Sequence, residues 1–124
     1  MNDGAKNEAQ TKLLRGQLEL IVLRLLRKRP MHGYKIITTV RKEFNAYFGP
    51  STIYPMLNEF EKKGYVEGTW DLEAERPRKI YELTSEGRKL SKALMNCSEC
   101  IRLKLIEYGK NDLELAELIA PLQQ

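Results

Sequence analysis

The fold is decided by the stretch Gly49-Pro50-Ser51-Thr52-Ile53-Tyr54-Pro55-Met56-Leu57, which opens a short predicted helix. The hydroxyl of Ser51 or of Thr52 can cap its beginning, because such an oxygen accepts a hydrogen bond from an unpartnered backbone N–H group of the first turn. Pro55 lies in or just beyond that turn, where a missing N–H group costs least. The helix is predicted to end at Gly64, since glycine readily takes the left-handed conformation that ends helices.

Two segments that follow this helix are predicted to be short strands joined by a basic turn. Residues 65–72 are rich in aromatic and β-branched side chains, and residues 79–83 alternate along the chain. Between them lies Glu73-Ala74-Glu75-Arg76-Pro77-Arg78, which we call the wing. A helix followed closely by such a hairpin is typical of a winged helix-turn-helix, which presents both to DNA.

Apolar residues at helical spacing predict two helices before this one and one after the hairpin. The first is predicted over Leu14–Lys28 and the second over about Gly33–Phe44. After the hairpin, Thr84 can cap a last helix that extends over about Ser85–Tyr108.

One face of the last helix carries an apolar stripe whose members recur at heptad-like spacing. A single helix cannot bury this stripe and its flanking apolar positions in a domain this small, so we predict that a second copy of the chain covers it. The predicted homodimer interface consists of Leu90, Leu94, Cys97, Ile101, Leu105 and Tyr108. The predicted fold class is therefore mainly α with a small β-hairpin, a winged helix-turn-helix plus a C-terminal dimerisation helix.

Composition limits the class of protein. The chain has 124 residues, of which 42% are hydrophobic and 31% charged, so it can bury one modest core. Lysine and arginine exceed aspartate and glutamate by 21 to 17, and an excess this small favours nucleic acid only where it is clustered. Neither a membrane span nor a signal peptide is predicted, and two cysteines do not suggest a disulfide-stapled fold, so we expect a cytoplasmic protein.

These observations divide the chain into three parts. We predict a flexible N-terminal tail over residues 1–12 and a winged helix-turn-helix DNA-binding domain over residues 13–84. Residues 85–124 are predicted to hold the dimerisation helix and a tail whose residues 113–122 are amphipathic.

The helix that starts near Gly49 is predicted to turn Ile53, Leu57 and Phe60 to the core and its other face to solvent. Hydroxyls, an amide and cations on that outer face suit phosphates and base edges, although Tyr54 could instead pack against the wing. Cations around a proline at the hairpin tip favour contact with the DNA backbone over an ordinary solvated turn. The candidate DNA-binding residues are Ser51, Thr52, Tyr54, Asn58, Lys62, Lys63, Arg76, Arg78 and Lys79.

Five motifs together support a family resemblance. They are Gly16-Gln17-Leu18-Glu19-Leu20, His32-Gly33-Tyr34, Ser51-Thr52-Ile53-Tyr54-Pro55-Met56-Leu57, Pro77-Arg78-Lys79-Ile80-Tyr81 and Leu83-Thr84-Ser85-Glu86-Gly87. In them the chain resembles the PadR family of transcriptional regulators, over roughly residues 13–108. The resemblance implies a dimeric winged-helix repressor of the short branch, with double-stranded DNA as partner. It also allows a small-molecule effector at the C-terminal helices, although this last helix has no tryptophan to stack on one.

Other classes of function have less support in the sequence. His32 is the only histidine, and no catalytic residues, metal ligands or cofactor are predicted; His32 is expected to support the start of the second helix. Cys97 and Cys100 are expected to pack along the dimer seam, with an intersubunit disulfide, a shared metal or a thiol-responsive switch as alternatives. Trp70 is expected to be core or inter-strand packing, although an aromatic ring could also stack on a ligand. A winged helix that contacts only proteins stays open as an adaptor.

Overall fold

The computed structural model describes residues 3–109 as five helices and a small sheet. The predicted fold class is confirmed, since the described chain is mainly helical with a three-stranded antiparallel sheet in the order β1-β3-β2. The chain divides into two compact units, the second of which begins at Lys92. The elements are α1 (Asp3–Gly16), α2 (Leu18–Lys28), β1 (Met31–His32), α3 (Gly33–Phe44), α4 (Pro50–Lys62), β2 (Val66–Asp71), β3 (Arg78–Leu83) and α5 (Ser85–Tyr108).

The core of the first unit is built from the apolar faces of three helices and one face of the sheet. In α4 the predicted core positions are confirmed, because Ile53 and Leu57 are fully buried and Phe60 is nearly so. The helix ends as predicted, with Gly64 in the left-handed conformation at φ 80°. The Tyr65 N–H group donates to the Phe60 carbonyl oxygen at 2.8 Å, which is the closing bond of a Schellman motif.

The beginning of α4 differs from the prediction that Ser51 or Thr52 caps it. Gly49 is the N-cap residue, no side chain caps the helix, and Pro50 is the first helical residue. The Gly49 carbonyl oxygen accepts hydrogen bonds from the N–H groups of Thr52 and Ile53, each at 3.0 Å. Proline suits this position because its backbone angle is already helical and its missing N–H group would have no partner there.

The N-terminal part of the chain also differs from the prediction. The segment predicted as one helix from Leu14 is divided at Gln17, so that α1 ends at Gly16 and α2 begins at Leu18. The prediction of a flexible tail over residues 1–12 was wrong for residues 3–12, which are helical. Such residues as alanine, lysine, glutamate and glutamine favour a helix even without an apolar stripe, and the glycine at the break does not.

The sheet has the predicted hairpin and one strand that was not predicted. Strands β2 and β3 pair antiparallel from Val66 opposite Leu83 to Asp71 opposite Arg78. The unpredicted strand β1 pairs with the other edge of β3, placing His32 opposite Ile80. A stretch of two residues is too short to show the alternation of a strand, so the sequence did not predict β1. It is a strand because it pairs with β3.

Trp70 was expected to be core or inter-strand packing, and the core alternative is wrong, because the residue is 59% exposed. It lies opposite Lys79, near the wing end of the hairpin. Burial on this face of the sheet falls from Val66, at 1% exposed, toward the wing, so the tryptophan lies beyond the edge of the core.

The beginning of α5 is as predicted. Thr84 Oγ1 accepts a hydrogen bond from the Gly87 N–H group at 3.1 Å and donates one to the Gly64 carbonyl oxygen at 2.6 Å. Gly87 is buried, and an added Cβ atom there would collide with the Tyr65 carbonyl oxygen. The helix ends at Tyr108, and the amphipathic tail predicted over residues 113–122 lies outside the described residues.

Candidate nucleic-acid interface

The outward face of α4 is polar and accessible along its length. Every candidate that the sequence placed on this face is exposed to solvent. They are Ser51, Thr52, Tyr54, Asn58, Lys62 and Lys63. The Lys63 ammonium lies 3.6 Å from Glu59 Oε1, but both side chains are exposed, and such a pair adds little that would hold the lysine. The helix therefore offers donors and acceptors on one face while its other face is anchored in the core.

Tyr54 packs on the beginning of α3. A Cβ atom added to Gly33 would lie 2.5 Å from Tyr54 Cε1 and 2.7 Å from its Oη atom, so the ring lies directly over this glycine. The tyrosine keeps 39% of its surface exposed. It can thus contact a ligand on one edge while α3 holds the other.

The basic side chains at the wing have different surroundings. Arg76 is exposed, and the Arg78 guanidinium lies between Asp71 Oδ2, 3.8 Å from its Nε atom, and His32 Nε2, 3.4 Å from its Nη1 atom. Lys79 instead points away from the wing, with its Nζ atom 2.7 Å from Glu61 Oε1 on α4. This hydrogen bond raises the pKa of Lys79 and keeps the lysine charged. Of the predicted cations, Arg76 and Arg78 are therefore better placed than Lys79 to meet an outside anion.

His32 lies between the sheet and α3. It is the last residue of β1 and the N-cap residue of α3, and its ring stacks on Tyr34 with the ring centroids 6.5 Å apart. Burial, and then the positive charges of Arg78 and Lys35, lower its pKa below the ordinary value of 6.5. The neutral ring can accept a hydrogen bond from Arg78 at Nε2 if its proton is on Nδ1. His32 thus supports the start of α3 through backbone position and stacking, without a side-chain cap.

The predicted dimer stripe on α5 becomes more exposed toward the end of the helix. Leu90 and Leu94 are half-buried, whereas Cys97 is exposed. The later members expose 61% (Ile101), 66% (Leu105) and 84% (Tyr108) of their surface. Both cysteines are free thiols, and the described residues contain no group of three or more side chains suited to a metal ion.

Glu61, Gly68 and Gly33 make contacts that were not predicted from the sequence. Glu61 bonds to both strands of the hairpin, and Gly68 and Gly33 allow close approaches. The alternation that predicted β3 puts Lys79 on the same face as Tyr81, but the sequence carries no signal that this face lies against α4 or that Glu61 is the partner.

Comparison with known proteins identifies the family. The model of the transcriptional regulator PadR-like family matches residues 22–93. The chain belongs to this family. None of the helices in the described part of this PadR-like protein combines the length and apolarity needed to cross a membrane.

Similar proteins match much of the length of this PadR-like chain. An uncharacterised protein of Lysinibacillus sphaericus is 32% identical over 79 residues, which are 61% of this chain and 72% of that protein. A PadR family transcriptional regulator from Eggerthella lenta has a TM-score of 0.73 and 24% identity, over 86% of this chain and 89% of its own. Bacillus subtilis PadR in complex with operator DNA has a TM-score of 0.58 and 26% identity, over 63% of this chain and 45% of its own.

Proposed function

We propose that this PadR-like protein is a sequence-specific DNA-binding transcriptional regulator, and that it represses transcription as a homodimer on an inverted-repeat operator. The observation that carries the proposal is the exposed polar face of α4 beside a hairpin whose wing exposes Arg76 and Arg78. Its similarity to Bacillus subtilis PadR, solved with operator DNA, supports the same partner.

The roles of the side chains follow from their chemistry. Thr52 and Asn58 carry a hydroxyl and an amide on the exposed face of α4, and these groups can read base edges in the major groove. Lys62 and Lys63 at the end of the helix, like Arg76 and Arg78 in the hairpin, suit phosphates. Ser51 and Tyr54 complete the helix surface.

The α5 stripe supports the dimer. Its exposed apolar members recur at heptad-like spacing, which is the pattern of helices that pack against a second helix. In a symmetric dimer the two α4 helices enter successive major grooves about one helical turn apart, so the operator is an inverted repeat with that spacing.

The proposal is tested by binding the purified protein to duplex DNA at several salt concentrations, after footprinting finds its site upstream of its own gene. Arg76→Ala with Arg78→Ala should weaken binding to all sequences and flatten the plot of log K against log salt by about 0.9 for each phosphate that is no longer neutralised. Asn58→Ala should cost roughly 1–3 kcal/mol on the matched operator and relax the preference at one position of each half-site. Lys12→Ala, which removes one exposed cation from α1, is the matched control and should change neither quantity.

Two results would contradict the proposal. Salt-independent or absent binding of the wild type to every duplex would favour an adaptor that contacts only proteins. For the dimer, sedimentation at micromolar concentration should show two copies, and Leu94→Asp with Ile101→Asp should give monomers or insoluble protein. A soluble, folded dimer of that double variant would show that α5 is not the interface.

A further inference from the structure

Glu61 connects α4 to both strands of the hairpin. It lies on the last turn of α4, and its Oε1 atom accepts a hydrogen bond from Lys79 Nζ on β3 at 2.7 Å. Its Oε2 atom accepts a second one from the Gly68 N–H group on β2 at 3.2 Å. One carboxylate therefore ties the helix to each strand beside the wing.

Gly68 leaves the space that this connection occupies. An added Cβ atom there would lie 2.8 Å from Glu61 Oε2 and would collide with the side chain of Lys79. Any larger residue would have to displace the carboxylate or the lysine from its position. The sequence thus places the acceptor on α4, the cation on β3 and the glycine that leaves room for both on β2.

The pair is more protected from solvent than the other ion pairs of the hairpin and α4. The side chains of Lys79 and Glu61 are 25% and 32% exposed, and the Lys79 ammonium also lies 5.7 Å from the centre of the buried Tyr81 ring. The Lys63–Glu59 pair on the outer face of α4 is more than half exposed on both sides. Solvent and salt therefore weaken the Glu61–Lys79 pair less.

We propose that Glu61 is a positioning residue for DNA binding, which fixes the hairpin against α4 so that the wing arginines reach phosphates while α4 occupies the groove. Arg78 directly precedes Lys79 at the wing end of β3, and Arg76 lies two residues earlier in the wing, so a change of hairpin angle moves both. The inference rests on the proposed DNA-binding function.

The sign of the effect separates this role from simple electrostatics. An unpartnered carboxylate near DNA repels phosphates, so its neutralisation would tighten binding if Glu61 had no other part. If Glu61 positions the hairpin, Glu61→Gln weakens binding in spite of the lost negative charge. Lys79→Met should then act through the same hydrogen bond, and the two changes should not add.

The test measures binding of the matched operator by four variants at several salt concentrations, below their unfolding temperatures. Glu61→Gln and Lys79→Met should each lower the affinity for the operator at least about threefold and make the plot of log K against log salt shallower. The double variant should lose no more affinity than the single variant that binds less tightly. Glu67→Gln, which removes an exposed charge next to Gly68, is the matched control and should bind as the wild type or slightly tighter. Loss of folding alone would lower the active fraction but would not change the salt slope of the folded protein.

The outcomes distinguish the two proposals. If the wild type binds DNA and Glu61→Gln behaves like Glu67→Gln, the positioning role is overturned and the function stands. The positioning role is also overturned if the effects of Glu61→Gln and Lys79→Met simply add. If the wild type binds no duplex, the proposed function fails and this inference with it. A DNA-free measurement adds to these, since the Gly68 amide should exchange with solvent faster in Glu61→Ala, and an unchanged rate would overturn the connection itself.

Discussion

Gly33→Ala tests whether Tyr54 is held on the beginning of α3. Gly33 is the first residue of α3, and its backbone is not in the left-handed region, so alanine fits the conformation. The obstacle is the ring above it, because the new Cβ atom would lie 2.5 Å from Tyr54 Cε1, 2.6 Å from Cζ and 2.7 Å from Oη. The ring must move if the protein is to accept the methyl group.

The magnitude follows from two opposing effects. A glycine-to-alanine change at a compatible helical position stabilises a protein by about 0.4–1 kcal/mol, because the unfolded chain loses freedom. Forcing a side chain out of a packed position costs about 1–3 kcal/mol. Because Tyr54 is 39% exposed, it can yield in part, and we expect a net destabilisation of roughly 0.5–2 kcal/mol.

Urea unfolding at a fixed protein concentration measures these terms in a double-mutant cycle. In the Tyr54→Ala background the obstacle is absent, so Gly33→Ala should stabilise by about 0.4–1 kcal/mol. Gly16→Ala is the matched control, since a Cβ atom added there meets nothing within 4 Å, and it should stabilise in both backgrounds. Stabilisation by Gly33→Ala in the wild-type background would refute the reasoning, because it would show that the ring moves away at no cost.

Three further predictions concern His32, Ser91 and the two cysteines. The fold favours the neutral form of His32, so the free energy of unfolding should be highest above the ordinary pKa of 6.5 and should fall as the pH drops through that value toward the lowered pKa. NMR titration of this sole histidine should show a midpoint below 6.5, and His32→Gln should make the free energy of unfolding depend less on pH. Ser91 is fully buried, and its hydroxyl has no hydrogen-bond partner in the described part of the chain, so Ser91→Ala should leave thermal stability equal or up to about 2 kcal/mol higher; a clear loss would reveal a partner. Cys97→Ala with Cys100→Ser should leave DNA affinity the same under oxidant and reductant, whereas a several-fold oxidant effect confined to the wild type would replace packing with a redox switch.

The sequence correctly predicted those features that depend only on residues close together in the chain. The apolar spacing of α3, the glycine after α4 and the hydroxyl before α5 each act over a few residues, and the structure has all three at the predicted positions. The same holds for the outer face of α4, because helical geometry alone separates Thr52 and Asn58 from Ile53 and Leu57.

The sequence could not supply features that depend on distant partners. β1 is two residues long and is a strand only because β3 lies beside it. The exposure of Trp70 depends on where the core ends along the hairpin, which the composition of β2 does not reveal. The bond between Glu61 and Lys79 joins residues 18 positions apart, and no helical or strand period relates them.

The alternation of side chains along β3 determines which of the basic residues at the wing end of the hairpin can reach an outside anion. Arg78 and Lys79 are neighbours in sequence, but successive side chains of a strand point to opposite faces. Arg78 therefore lies beside His32 and Asp71, while Lys79 faces α4 and is bound by Glu61. Because of this division, a combined alanine substitution of both residues would mix the loss of a direct phosphate interaction with the loss of hairpin position. Arg78→Ala alone should reduce the salt slope with α4 specificity intact, whereas Lys79→Met should alter both through Glu61.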